Sequence, residues 1–318
     1  MTFPAMPRRF GPNELNTELS SQEYTPLSIT SQGSPLMKTK TKLRDGARHI
    51  ALSVLAQLTK SQTRQALKQN RVQNIYSHFL PKSDVGNFLR LIRILAQDHH
   101  FISYTEAIER IRSGDIDKPY LTISFDDGFE SNRLAGRLLA EEGISACFFV
   151  CPDMVGKNRD ELNRVFSGEL GTEKRMMTWG EIDELRSQGH EIGSHTLDHS
   201  VLADLPLEEA RRQVIESKIV LDERLGEVKH FAWPRGRFQH FRPELIGPIF
   251  DTAGYESCSS AVRGAHMAAL PQEIGCIRRE NFLADWPISH TLYLLGRSVR
   301  KLSSAAGAWP SDWSQESL

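Results

Sequence analysis

Tyr120-Leu-Thr-Ile-Ser-Phe-Asp-Asp-Gly128 is a run of six strongly β-prone residues that stops on two carboxylates and a glycine. Its β-branched and aromatic content predicts a strand, and Asp-Asp-Gly is good turn chemistry for ending one. Outward from this run the pattern alternates. Upstream, Val72-Gln-Asn-Ile-Tyr76 predicts a strand and residues 84–97 a helix whose apolar face carries Phe88, Leu91, Ile92 and Leu95. Phe101–Tyr104 predicts a short strand, with Thr105 as N-cap of a helix over 106–111. Downstream come a helix over 133–142 ending at Gly143, a strand over 144–150, a helix over 180–188 ending at Gly189 and a strand over 191–194. A helix over 206–225, a strand over 229–233 and a helix over 244–253 complete the series. Strands separated by helices imply a parallel sheet. Roughly 220 residues of this alternation suit one parallel α/β barrel better than two domains.

The chain has 318 residues, 39% of them hydrophobic and 25% charged, with 39 basic against 40 acidic side chains. A net charge of −1 lacks the basic excess of a broad nucleic-acid-binding surface. No stretch reaches the roughly 18 uninterrupted apolar residues of a membrane span. Cys147, Cys151, Cys258 and Cys276 form no C-x-x-C pair and are too sparse for a disulfide scaffold; they read as buried thiols, which favours a reducing compartment.

Residues 1 to about 36 read as a disordered tail, rich in Pro, Ser, Thr, Gly and Asn. From Met37 a basic segment leads into Ile50-Ala-Leu-Ser-Val-Leu-Ala-Gln-Leu58, which reads as a surface amphipathic helix; it is too short and polar, and lacks the cleavage site, for an export signal. The expected organisation is therefore a tail plus this helix over 1–70, an α/β barrel domain over 71–297, and a second tail over 298–318. The expected location is the cytoplasm, with a secreted or periplasmic site as the alternative. Eight Lys/Arg against four Asp/Glu in residues 1–60 allow weak contact with an anionic membrane surface.

Parallel α/β folds carry their chemistry at the C-terminal ends of strands, where three groups fall. Asp126 and Asp127 are adjacent carboxylates that repel each other unless a cation or proton is near. In Ser194-His195-Thr-Leu-Asp-His199 two imidazoles stand four apart, on one face if the segment is helical. Together with Asp127 they make a His₂Asp set with an open position, the composition of a catalytic zinc site. Phe231-Ala-Trp-Pro-Arg-Gly236 ends a third strand in an irregular loop suited to an oxyanion donor.

These motifs, in this order, resemble the polysaccharide deacetylases of the NodB-homology type, carbohydrate esterase family 4, over roughly residues 72–285. The resemblance implies a (β/α)₇-type distorted barrel and a Zn²⁺ ion, or Co²⁺ or Ni²⁺. It gives Asp126 the role of general base and makes Asp127, His195 and His199 the metal ligands. Arg235 stands where the family has a tyrosine whose amide supports the oxyanion, and its side chain adds a cation suited to an anionic sugar; His78, Trp233 and Arg278 are placed as substrate-binding residues. Cys276-Ile-Arg-Arg-Glu-Asn281 resembles a segment whose arginine corresponds to Arg278 or Arg279. The family's general-acid histidine has no clear counterpart; His290 and His266 are the stand-ins. The implied activity is hydrolysis of the N-acetyl group of a sugar, in a polysaccharide or its lipid-linked precursor. Hydrolysis of another non-peptide C–N bond or an O-acetyl ester, or carbohydrate binding without turnover, stay as alternatives.

Overall fold

A computed structural model describes residues 35–166, 175–269, 275–302 and 309; the stretch read as an N-terminal tail lies almost wholly outside them. Residues 48–318 form one compact unit. Its sheet holds β1 (Arg71–Ser77), β3 (Pro119–Phe125), β4 (Cys147–Val150), β5 (Glu191–Ser194), β6 (His230–Ala232), β7 (Ser257–Ser259), β8 (Cys276–Ile277) and β9 (Arg279–Asn281), with β2 (His100–Phe101) paired to the start of β3. The spatial order is β8-β7-β6-β5-β4-β3-β1-β9, and every pairing is parallel. Strands β8 and β9 lie on opposite edges of this order, yet only Arg278 separates them in sequence. The segment 276–281 thus bridges the two edges and draws the sheet into a nearly closed, distorted barrel of the expected (β/α)₇ type.

The side-chain period of two along each strand sorts the residues. Ile75, Leu121, Ile123, Phe125, Phe148 and Phe231 pack outward against the helices. Val72, Tyr120, Cys147, Phe149 and Ala232 belong to a separate inner cluster, into which α4 (Tyr104–Ser113) inserts Tyr104, Ala107 and Ile108. Hydrogen bonds from Tyr104 N to Glu191 and between Thr105 and His230 hold α4 over the N-terminal strand ends. All four cysteines are free and buried.

Helices α3 (Val85–Asp98), α5 (Asn132–Glu141), α7 (Trp179–Ser187) and α8 (Leu207–Leu225) fall where periodicity puts them. Helix α7 starts on a reciprocal capping box between Thr178 and Glu181. Several details depart from expectation. Ser103, not Thr105, caps α4, because its hydroxyl accepts from Glu106 N. Residues 244–253 form a 3₁₀ turn and a short π-helical turn rather than an α-helix, with Pro243 and Pro248 each withholding an N–H. Helix α9 (Ile288–Leu302) runs past Arg297, and Trp309 stacks on Trp233 and Phe241, so part of the expected C-terminal tail is folded. Ahead of the barrel, α1 (Pro35–Leu58) is followed by α2 (Lys60–Leu67), which packs on α9. Among the described residues, no helix is long and apolar enough to cross a membrane.

Candidate metal centre and cleft

A cleft of about 540 Å³ opens at the C-terminal ends of the strands. Strand alternation already aims its base: Thr122 and Ser124 are inward-facing polar residues, and Asp126 continues that face. Plain continuation would turn Asp127 outward. Instead Asp127 takes a left-handed φ of 74°, and Gly128 follows at 85°, which returns its carboxylate to the cleft. Asp126, Asp127, His195 and His199 all line this space.

The ligand atoms of Asp127, His195 and His199 lie within 4.8 Å of one another. Asp127 Oδ1 sits 3.4 Å from His195 Nε2 and 3.1 Å from His199 Nε2, and the carboxylate is only 5% exposed. The His195 Nδ1–H donates to Ala232 O at 2.7 Å. A carbonyl only accepts, so Nδ1 carries a proton, and in the neutral ring Nε2 presents its lone pair to Asp127. A buried acceptor then faces another acceptor, and Oδ1 makes no hydrogen bond. A divalent cation among these three atoms resolves that conflict, and one carboxylate with two imidazoles is a fitting donor set. Burial alone would raise the Asp127 pKa, but His199, His195 and His78 in their protonated forms outweigh it and hold the carboxyl well below its usual range.

The 195–199 segment is not helical. Thr196 and His199 have φ of 67° and 70°, and the loop is tied down by Thr196 Oγ1 accepting from His199 N and by Gln213 of α8 accepting from Leu197 N. The two imidazoles therefore meet through a strained loop rather than through a helix face. Among the described residues, the non-glycine positions with positive φ are Asp127, Thr196, His199 and Arg235. All four belong to this site, and strain of this kind persists only where the surroundings enforce it.

Asp126 is held differently. Arg279, fully buried at the start of β9, grips it with two bonds of 2.7 and 2.9 Å. The Arg279 Nε donates to Ser260 O, and its guanidinium lies over the Tyr76 and Phe149 rings. Burial would favour the neutral guanidine, but the Asp126 charge outweighs it and raises the Arg279 pKa. Of the two candidate arginines, then, Arg279 meets Asp126. Arg278 bridges β8 and β9 with its side chain toward Phe238 and Arg263 O, outside the cleft lining.

The loop after β6 forms another wall. Arg235, at φ 64°, lines the cleft between Pro234 and Gly236. A side chain at Gly236 would meet Ala261 Cβ at 2.3 Å, so glycine alone fits. Trp233 is fully buried, donating from Nε1 to Arg237 O and packed at a tilt against Phe241. It is a floor that pins the loop rather than an exposed platform. His78 lines the cleft beside the Tyr76 ring.

Neither stand-in for the general acid reaches the cleft. His290 sits in α9 and bonds the Ser53 hydroxyl. His266 is a bridge partner of Val72, and its Nε2 accepts from Arg278 N. Sequence reading missed His240, which does line the cleft with Asn281 and Arg263. Its signal was position: Phe238-Gln-His240 follows the Trp233–Arg237 loop directly.

Fold and site together define a parallel barrel with a candidate Asp–His–His metal centre at its C-terminal rim. The polysaccharide deacetylase family model matches residues 113–242, the segment that carries Asp126, Asp127, His195, His199 and the β6 loop. The resemblance read from the sequence is thus borne out over this segment. The chain is 25% identical over 134 residues to a peptidoglycan-N-acetylglucosamine deacetylase of Bacillus cereus, covering 42% of each chain. It therefore spans about two fifths of the length of that curated relative. Among solved structures, IcaB from Ammonifex degensii superposes with a TM-score of 0.56 at 22% identity, covering 71% of this chain and 98% of that one. The Streptococcus pyogenes deacetylase PplD, in complex with acetate, gives 0.54 at 16%, covering 72% and 98%. At these identities the structures establish the shared barrel.

Proposed function

We propose that the cleft is the active site of a metal-dependent deacetylase that hydrolyses the N-acetyl group of a saccharide. The observation that carries this reading is the convergence of Asp127 Oδ1 with the Nε2 atoms of His195 and His199, one residue along from a carboxylate fixed by Arg279. The family match and the name of the Bacillus cereus relative support the substrate class. An amide resists hydrolysis, so the site must supply a strong nucleophile, a home for the oxyanion and a proton for the leaving amine. A bound Zn²⁺, held by Asp127, His195 and His199, would supply water activation near neutral pH and carbonyl polarisation. Asp126 takes the proton from the attacking water, and Arg279 fixes the carboxylate for that transfer. The Arg235 backbone amide supports the oxyanion. His240 and His78 are the cleft imidazoles outside the ligand set, and one of them replaces His290 as proton donor.

The test is acetate release from N-acetylated chito-oligosaccharides by protein stripped with a chelator and then reloaded with Zn²⁺, beside Asp126→Asn. Turnover should appear only in reloaded wild type and fall by roughly 10²–10⁴ in the variant. Oligosaccharide binding without acetate release would favour a carbohydrate-binding protein, and release from O-acetylated sugars alone would move the activity to esters.

A further inference from the structure

Helix α1 carries two apolar faces where a helix on a protein surface ordinarily carries one. The first is covered: Leu52 packs with Tyr293 and Leu294, Ala56 joins them, and His49 meets the Trp286 ring at 5.4 Å. Ser53 bonds His290, and Arg48 lies over Trp286. These contacts anchor the C-terminal half of α1 to α9. The other face is bare. Ile50, Val54 and Leu58, spaced four apart on one side of the helix, are 69, 51 and 76% exposed, and Leu55 beside them is 41% exposed. Elsewhere among the described residues, the exposed large hydrophobics Val165, Ile219, Met267 and Leu283 are single residues in separate helices or loops.

Charge tells what fits this face. Between Met37 and Lys68 the chain carries eight Lys/Arg and a single carboxylate, Asp45, although the whole chain is at −1. Lys60, Arg64 and Lys68, again four apart, run exposed along and just beyond α2, which follows α1 after one residue. No described carboxylate forms an ion pair with any of the three. An exposed aliphatic stripe followed along the chain by an exposed cationic one is the pattern of a segment that lies in the interface of a negatively charged bilayer: aliphatic side chains enter the acyl boundary and the cations meet phosphate headgroups. A second protein copy would need a matching acidic groove, which this segment does not offer to itself.

We propose that residues 48–68 form a docking surface for anionic phospholipid bilayers, with Ile50, Val54 and Leu58 inserted and Lys60, Arg64 and Lys68 on the headgroups. The surface belongs to α1 and α2, is separate from the cleft, and stands whether or not the cleft hydrolyses amides. It would hold the barrel at a lipid surface while leaving the described cleft residues uninvolved.

Full-length protein is sedimented with vesicles of phosphatidylcholine alone and of phosphatidylcholine doped with phosphatidylglycerol, at low and raised salt. Wild type should partition onto the anionic vesicles and release as salt screens the charges. Ile50→Ser with Leu58→Ser, and separately Lys60→Glu with Arg64→Glu and Lys68→Glu, should each lower that partition about tenfold or more. All five positions are exposed, so the melting temperature should not move. Absence of wild-type partition overturns the proposal, as does equal partition onto neutral vesicles or binding by both variants at the wild-type level. A concentration-dependent dimer that Ile50→Ser with Leu58→Ser abolishes, without vesicle binding, would assign the face to a second copy and overturn it too.

Discussion

The two ends of the barrel treat buried polar groups in opposite ways. At the N-terminal end, Arg71 is fully buried yet has a partner at each guanidinium nitrogen: it donates to Gln73 Oε1, Leu67 O, Gln69 O and His99 Nε2 at 2.8–3.0 Å. His99 in turn donates from Nδ1 to Leu95 O at 2.8 Å, and no residue of this cluster has a positive φ. At the C-terminal end, Asp127 Oδ1 is buried without a hydrogen bond, and four non-glycine residues sit in the left-handed region. The Arg71–His99 cluster gives its buried groups partners and serves stability. The other end keeps an unsatisfied acceptor and a strained loop, which is reasonable only if something outside the chain completes it.

Asp127→Asn should sharpen that contrast most. The amide removes the charge that draws a cation, so turnover by the Zn²⁺-loaded protein should fall by roughly 10²–10⁴ and Zn²⁺ binding measured by calorimetry should largely vanish. Stability should move the other way or not at all. A neutral side chain that can donate relieves the meeting of lone pairs with His195, so the melting temperature of chelator-treated protein should stay level or rise. A large loss of stability in the metal-free variant would mean that Asp127 is a structural partner of its histidines, and the two ends would no longer differ in kind.

Much of this was legible in sequence because local rules and tertiary structure agree there. Tyr120–Phe125, α3 and α8 follow their periodicities, and Asp127, His195 and His199 stood out as a donor set wherever the strands placed them. What was not legible depended on long-range geometry. Nothing local says that 195–199 forms a loop, since the positive φ of Thr196 and His199 is imposed by Gln213 from another element. The choice of Arg279 over its neighbour Arg278 turns on strand alternation across β9, a strand of three residues. His290 looked available as an acid only because a sequence does not show that Ser53, 237 positions away, occupies it. Ser103 displaced Thr105 as cap by two residues, within the usual uncertainty of a helix boundary.

Histidine makes the next distinction. At the cleft, His240 is half-buried on the wall formed by the β6 loop, while His78 lies by Tyr76 on the side of the base. A proton donor belongs across the scissile bond from the base, which favours His240. Its removal should matter only when the leaving group needs a proton. His240→Asn should lower kcat about a hundredfold on an N-acetylated sugar while leaving hydrolysis of an activated aryl acetate ester, whose phenolate leaves unaided, near wild type. His78→Asn should not produce that split. Equal losses on both substrates would make His240 a structural part of the loop.

At the other end a histidine should affect stability and not turnover. Burial, and then the neighbouring Arg71 guanidinium, lower the His99 pKa to about 4. Its Nε2 accepts from Arg71 while Nδ1–H serves Leu95 O, so protonation would set a second cation 2.9 Å from the first. The folded value lies below the ordinary one of about 6.5, so the unfolded chain takes up the proton first as pH falls. The contribution of His99 to stability is whole above about pH 6.5 and shrinks from there toward pH 4, by about 2 kcal/mol at pH 5. His99→Gln keeps an acceptor for Arg71 and cannot titrate. Denaturant unfolding of the variant should therefore lose that part of the acid sensitivity, leaving a smaller slope from His230 and His266, whose pKa values burial lowers to about 3. Zn²⁺ binding at the cleft should stay at its wild-type level. An acid slope identical to wild type would show that His99 is solvated in solution, and this end of the barrel would then be looser than Arg71 implies.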